Sequence, residues 1–221
     1  MLEPNPVPGQ RTGSQGLKIS LIGMSNAGKT YWSQKLAAEA GFVRIPCDDL
    51  IEQRLGPYLQ EQGYAGIEAV SEWMGQPYEA RYPANSRRYL ECENAVMQEV
   101  LRRLEREPGN VVVDTTGSVI YTERATIKKL GRLSRVVYIE MPQFLQDEMV
   151  RRFIQNPKPV IWGQVYTQRK NETGPEALVR CYPRLLEYRS QKYGKYADFT
   201  FDYFDIMNER FGVERLLKHV R

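Results

Sequence analysis

Residues 23–30 constrain the fold more than any other part of the chain. They read Gly-Met-Ser-Asn-Ala-Gly-Lys-Thr and match the phosphate-binding pattern G-x-x-x-x-G-K-[ST] at every fixed position. An apolar stretch of strand type, 17–22, precedes the pattern and a helix-like run, 30–40, follows it, which is the context that the pattern requires. In such a loop, backbone N–H groups surround a phosphate, and glycines permit the close approach that side chains would block. We therefore predict that the whole loop binds a nucleotide triphosphate: Gly23, Met24, Ser25, Asn26, Ala27, Gly28, Lys29 and Thr30.

Two side chains of this loop carry specific chemistry. Lys29 is predicted to reach the β- and γ-phosphates of ATP, and Thr30 to place its hydroxyl on Mg²⁺. The dipole of the following helix favours the same negative charge. The simpler alternative is a glycine-bearing turn that happens to contain a lysine, but the match at all fixed positions and both flanks favours phosphate binding. The loop predicts ATP and Mg²⁺ as ligands and leaves the reaction open.

Strand-like and helix-like segments alternate after the loop, a pattern typical of a parallel sheet with helices on both faces. We predict an α/β fold of three layers, α/β/α, around a five-stranded parallel sheet of phosphate-loop kinase type, followed by a final helix from about 206 to 220. One domain is expected over 17–221, with a flexible tail over 1–16, because the chain is too short for two ordinary domains. The later strands are predicted at 41–45, 111–113, 135–140 and 197–201.

Acidic residues follow two of these strands, at the edge where α/β proteins bind ligands. Asp48 and Asp49 follow the second strand; one of them can cap a short helix over 50–55, and we expect the other to be catalytic. Asp114 closes the run Val111–Val113, as in the arrangement that brings an aspartate to the Mg²⁺ of a phosphate loop, so Thr30 and Asp114 are the predicted metal site. The next residues, Thr115, Thr116 and Gly117, can offer amides and hydroxyls to a substrate.

Two segments interrupt the alternation. Residues 57–85 are aromatic and rich in turns, which indicates either a substrate-side insertion or a surface loop packed by its own rings. Residues 154–174 are predicted to form a lid, within a stretch from Arg151 to Lys195 that holds ten Lys/Arg and three acids, a net charge of +7. A solvated helix face and a nucleic-acid patch are the alternatives for this charge. The lid cations expected to close over the phosphates are Arg151, Arg152 and Lys158.

Composition limits the setting. No apolar stretch is long enough to cross a bilayer, and the three cysteines cannot all pair, which favours reduced thiols and a cytoplasmic location. We expect a small-molecule partner rather than a nucleic acid or a membrane, and a monomer or weak dimer.

Residues 17–220, except for the insertion, resemble the shikimate kinase family, within the nucleoside-monophosphate-kinase-like group of phosphate-loop folds. The stretch Cys47–Gly56 is similar to the family's segment after the second strand, so the resemblance implies that Asp48 holds the substrate hydroxyls and acts as the base. Lys158-Pro159 falls where the family has Arg-Pro in its lid. Three further residues resemble the family's carboxylate-binding arginines and a supporting glutamate: Arg88, Arg189 and Glu91.

The chain also departs from the family. Pro46 stands where the family has an aspartate that helps Mg²⁺, and Thr115-Thr116-Gly117 replaces a glycine triplet around the acceptor ring. Asp114 can take over the metal role. The resemblance thus implies an ATP-dependent kinase for shikimate or a shikimate-like hydroxy acid. A nucleoside, nucleotide or polynucleotide kinase, or a non-catalytic ATP-binding regulator, remains the alternative.

Overall fold

A single parallel sheet organises the computed structural model, which describes residues 16–65, 69–156 and 160–221. The strand order is β2-β3-β1-β4-β5, and every pairing between neighbours is parallel. This confirms the predicted five-stranded parallel sheet. The strands are β1 Lys18–Ile22, β2 Val43–Pro46, β3 Val111–Asp114, β4 Arg135–Glu140 and β5 Phe199–Asp202.

The centre of the sheet is formed by β1 and β3, which are buried along their whole lengths. The strand β3 reads as an apolar run that ends at Asp114, because a parallel sheet is covered by helices on its two faces, whereas β1 also buries the polar residues Lys18 and Ser20. The register places Asp114 opposite both Leu21 and Pro46, and the N–H of Thr115 extends the ladder by donating to the carbonyl of Leu21. The segments that follow β1, β2 and β3 therefore meet at one edge of the sheet.

Helices connect and cover the strands. The longest, α4, follows the apolar stripe expected in this region, with Met97, Leu101 and Leu104 buried, and it packs against α2 and α5. A 3-10 turn, Val119–Tyr121, lies between β3 and α5. The helices are α1 Lys29–Ala40, α2 Cys47–Glu61, α3 Ala69–Met74, α4 Tyr82–Arg106, α5 Arg124–Leu133, α6 Gln143–Gln155, α7 Gly174–Tyr196, α8 Tyr203–Met207 and α9 Val213–Val220. None of these helices, in the part of the chain that the structure describes, has the length and apolar character needed to span a membrane.

Two local predictions were wrong. The helix after β2 was predicted over 50–55 with Asp48 or Asp49 as its cap. It is α2, which begins at Cys47 with Pro46 at the N-cap, and both aspartates lie inside its first turn. The expected final helix is two helices, because the chain leaves helical geometry at Asn208 and restarts after Gly212. The predicted insertion, 57–85, contains the end of α2, all of α3 and the start of α4. The predicted tail, 1–16, lies outside the described residues except for Gly16.

Candidate functional site

The phosphate loop occupies the turn between β1 and α1. Gly23 has φ 146°, and a Cβ there would lie 2.9 Å from the carbonyl oxygen of Ile139, so a side chain at this position would collide with β4. Gly28, directly before α1, has φ 92°. Both positions need the conformations that glycine adopts without strain. The loop therefore has the close-packed, left-handed turns that turn backbone N–H groups toward an anion.

Lys29 lies under this loop, 7% exposed. Its ammonium donates to the carbonyl oxygens of Gly23 at 3.1 Å and Met24 at 2.8 Å. Burial lowers the pKa of Lys29 to about 8, although the carboxylates of Asp48 and Asp114 favour the charged form. The cation is thus held at the loop without a salt bridge in the described part of the chain.

Asp48 faces the loop from the first turn of α2. Its carboxylate has no hydrogen bond or ion pair with any described residue, and it opens onto a cavity of about 320 Å³ that Lys29 and Thr30 also line. Enclosure by the cavity walls raises the pKa of Asp48, and the nearby Lys29 opposes that rise. An unpaired carboxylate of raised pKa is suited to accept a proton.

The rest of this cavity, called here the acceptor cavity, is assembled from four other parts of the fold. Three of them are α3, α4 and the turn after β3. The fourth consists of the segment after α6 together with Arg189 of α7. The residues lining it besides Lys29, Thr30 and Asp48 are Ser25, Asn26, Val70, Ser71, Met74, Tyr89, Thr116, Gly117, Ser118, Val160, Ile161 and Arg189.

A buried acid, Glu93, lies behind the turn that follows β3. It is 1% exposed, and it accepts hydrogen bonds from the hydroxyls of Thr116 and Ser118. Burial raises the pKa of Glu93 to about 7, and these two hydroxyl bonds oppose the rise. Sequence reasoning missed Glu93, Ser118 and Tyr89. The available signal was that Glu93 lies four residues before Met97 and seven before Val100, so an acid occupies the apolar stripe of α4.

Arg189 lines the opposite wall. It is 6% exposed; its Nη2 donates to the carbonyl of Ile161 at 2.9 Å, while its Nε is buried without a partner. No carboxylate forms an ion pair with it among the described residues, and the ring of Tyr121 lies 5.5 Å from its guanidinium carbon. Buried charges are normally paired, so this cation fits an anionic ligand.

Asp114, the other predicted metal ligand, does not line the acceptor cavity. Its Oδ2 accepts from Arg44 at 2.8 Å and lies 3.1 Å from Oγ of Ser33, whereas its Oδ1 is buried without a partner. No group of three or more His, Cys, Asp or Glu within the described ranges could hold a metal ion. Thr30 and Asp114 offer one hydroxyl and one free carboxylate oxygen, a donor set that fits Mg²⁺ only with oxygens from a nucleotide and water. The metal assignment stays a prediction.

A second cavity, of about 630 Å³, adjoins the first and shares five lining residues with it: Ser25, Asn26, Ser71, Val160 and Arg189. Its walls are mainly apolar and come from α6, α7 and the start of α8. The wall residues are Met141, Leu145, Met149, Phe153, Tyr182, Leu186 and Tyr203, with Glu148, Arg152 and Asn156 at polar positions. Arg189 thus lies between the two spaces.

The structure does not bring every predicted residue to the site. Arg88 is exposed and stacks over the ring of Tyr58 at 3.7 Å, and it forms no ion pair with Glu91 among the described residues. The reason is helical phase: Tyr89 and Glu93, four residues apart, occupy the face of α4 that turns toward the site. Neither Arg88 nor Glu91 lines the acceptor cavity, so the structure does not bring this predicted arginine and its supporting glutamate to the site.

The predicted lid cations are only partly placed. Arg151 and Arg152 are both exposed and both bind Glu148 at 2.9 Å, and of the two only Arg152 lines the second cavity. Lys158 lies outside the described residues. Farther along the basic stretch, Arg180 binds Glu172 at 2.6 Å, so this cation is already paired within the chain.

A family model described as an AAA domain matches residues 19–152. No curated protein matches the chain. Among solved structures, shikimate kinase from Acinetobacter baumannii in complex with shikimate has a TM-score of 0.55 at 22% identity, covering 93% of this chain and 90% of that one. Shikimate kinase from Aquifex aeolicus has a TM-score of 0.55 at 18% identity, with coverages of 92% and 96%. Dephospho-CoA kinase from Campylobacter jejuni has a TM-score of 0.53 at 15% identity, with coverages of 92% and 98%. At these identities the likeness establishes the fold, and it confirms the resemblance to shikimate kinases at that level.

Proposed function

The chain belongs to the AAA domain family, and from that premise we propose that it is an ATP-dependent small-molecule kinase. The acceptor is a hydroxyl of a small hydroxylated carboxylic acid, shikimate or a shikimate-like compound. The structural neighbour from Acinetobacter baumannii was solved with shikimate, which supports this class of acceptor.

The observation that carries the proposal is the Asp48 carboxylate. It has no partner among the described residues, and it opens onto the same small cavity as the ammonium of Lys29 and the guanidinium of Arg189. A base that shares a cavity with two buried cations suits an acceptor that carries both a hydroxyl and a negative charge. The cavity volume of about 320 Å³ is at the lower end of small-molecule sites.

The residues of the loop fit a nucleotide. The φ values of Gly23 and Gly28 and the ammonium of Lys29 supply the amide-lined, cationic turn that a triphosphate needs. Thr30 and the free Oδ1 of Asp114 would hold Mg²⁺. When bound, ATP and Mg²⁺ supply the phosphoryl group and neutralise its negative charge.

The protein's own contribution is positioning and proton transfer. Asp48 holds the acceptor hydroxyl and takes its proton. Arg189 binds the acceptor carboxylate through its planar guanidinium, a task for which a lysine is poorly suited. Arg151 and Arg152, freed from Glu148, and Lys158 would stabilise charge on the transferred group.

The test is a screen for ADP release over shikimate, other hydroxy acids, sugars and nucleosides, with Lys29→Ala as the blank. We expect turnover with a hydroxy acid and none with the blank. Preference for a nucleoside would replace the acceptor class, and ATP binding without turnover on any compound would favour a regulatory role.

A further inference from the structure

The turn after β3 forms a hydroxyl-lined floor under the acceptor cavity, and its hydrogen bonds converge on Glu93. Ser118 Oγ lies 3.1 Å and 2.9 Å from the two carboxylate oxygens, and Thr116 Oγ1 contacts Oε1. The N–H of Ser118 donates to Thr116 Oγ1 at 3.1 Å, and the two hydroxyl oxygens are 3.2 Å apart. Both hydroxyl residues line the cavity, whereas Glu93 does not.

Counting protons fixes the polarity of this floor. Each hydroxyl has one proton, and an ionised carboxylate only accepts hydrogen bonds. When Glu93 is ionised, the protons of Thr116 and Ser118 therefore point away from the cavity, toward its carboxylate. One lone pair of Thr116 is used by the N–H of Ser118. The oxygen of Ser118 receives no backbone donor among the described residues, and the neighbouring Tyr89 hydroxyl can occupy only one of its two lone pairs. At this point the cavity offers a ligand an oxygen that can accept but not donate.

We propose that Ser118 binds a second hydroxyl of the acceptor, one that is not phosphorylated, and that Glu93 is the positioning residue that makes Ser118 an obligatory hydrogen-bond acceptor. This inference rests on the proposed kinase function and narrows its substrate class. The acceptor carries a hydroxyl donor at this position, and an analogue with a carbonyl there is disfavoured because two lone pairs would face each other.

The charge on Glu93 depends on its surroundings. The groups that act on it electrostatically are Asp48 from α2, which raises its pKa, and Arg189 from α7, which lowers it, while burial itself raises the pKa most. The neighbouring thiol of Cys47 and phenols of Tyr89 and Tyr193 have pKa values raised by burial and stay neutral. Selection for the hydroxyl should therefore be strongest above pH 7, where Glu93 is ionised.

The test compares acids that differ only by a hydroxyl or a carbonyl at a carbon other than the one phosphorylated: shikimate and quinate, each with its 4-keto and 5-keto analogues, and gluconate with 5-ketogluconate. Binding is measured by calorimetry at pH 8 with a non-hydrolysable ATP analogue and Mg²⁺ present. We expect the wild type to prefer the hydroxyl member of a binding pair by roughly 5- to 10-fold, the value of one hydrogen bond. In Glu93→Gln, whose new amide can donate to Ser118, the ratio should fall to about 1 or reverse, and Ser118→Ala should also bring it to about 1.

Glu99→Gln is the matched control, because Glu99 lies on the same helix and binds Arg54 at the surface. It should keep the wild-type ratio, and all variants should bind the ATP analogue as the wild type does. An unchanged ratio in Glu93→Gln and Ser118→Ala, or equal loss of affinity for both members of a pair, would overturn the inference and leave the kinase proposal standing. Failure of every pair to bind the wild type would reject the proposed acceptor class, and the inference with it.

Discussion

The phosphate loop and the floor of the acceptor cavity are built in opposite ways. The loop is one consecutive stretch, 23–30, whose backbone conformation does the binding. The floor and walls of the acceptor cavity are side chains from distant parts of the chain, including Asp48, Ser118 and Arg189, and Glu93 supports the floor from behind. A consecutive motif binds what all nucleotides share, whereas an assembled surface can differ between proteins of one fold. The choice of acceptor therefore depends on the assembled half.

The largest effect is expected from the loop. Lys29→Ala removes the buried cation, and we expect ADP release to fall about 10³-fold for every acceptor, since one preorganised charge contributes about this much. Lys35→Ala, a change six residues along the same helix, should leave the rate within about twofold. A loss confined to one acceptor would contradict the view that the loop is independent of the acceptor.

Asp48→Asn tests a residue that lies where the phosphate loop meets the acceptor cavity. Loss of the base should lower kcat about 10²-fold while the KM for ATP stays nearly constant. Asp49→Asn is the matched control, because Asp49 shares the first turn of α2 but does not line the cavity. Equal effects of the two changes on kcat would remove the proton-accepting role from Asp48. Since the Asp48 pKa is raised, wild-type kcat should fall as pH decreases through that raised value, and the variant should lack this decline.

Arg189→Lys keeps a positive charge and removes the planar pair of donors. We expect the KM of the acceptor to rise about tenfold, as for the loss of one charge-assisted hydrogen bond, with little change in the KM for ATP. Steady-state kinetics with each substrate varied in turn provides the measurement. An equal rise in both values would mean that this residue, which lines both cavities, serves the nucleotide as well.

The last effect concerns stability rather than catalysis. Glu93 has a pKa of about 7 in the folded protein and 4.5 as its reference value, so between these pH values the folded state binds the proton more tightly. Stability contributed by protonated Glu93 is present below pH 4.5 and is lost as the pH rises toward 7, by at most about 1.4 kcal/mol per pH unit.

Thermal unfolding from pH 5 to pH 8 should therefore show Glu93→Gln gaining stability relative to the wild type as the pH rises. Glu99→Gln should stay parallel to the wild type. A constant difference between Glu93→Gln and the wild type across this range would show that Glu93 does not titrate as stated.

The sequence was sufficient for those features whose cause is local. The loop pattern and the apolar run Val111–Val113 are contiguous, so they predicted the parallel sheet and the position of Asp114. The break between α8 and α9 was missed, although Gly212 gives a local reason for it, because the apolar spacing across the break is compatible with one helix. Element types were thus more predictable than element ends.

The acceptor cavity was harder to predict because its residues meet only through tertiary packing. Arg88 and Glu91 have the spacing of a pair on one helical face, yet packing against α2 and α5 decides which face turns inward, and it selects Tyr89 and Glu93. The charged residues alone do not show whether Arg88 or its neighbour Tyr89 lies on the inward face of α4. That face could have been read from the apolar stripe of α4, in which Glu93 is the exception.

The ammonium of Lys29 has a consequence for the energetics of nucleotide association. It is bound to two carbonyls of its own loop and has a pKa of about 8, so near that pH about half of the molecules carry it as the neutral amine. A triphosphate next to it would favour the charged form, and association would then be coupled to uptake of a hydrogen ion from the medium. Calorimetry at pH 8 in two buffers with different ionisation enthalpies should record an uptake of roughly half a proton per nucleotide.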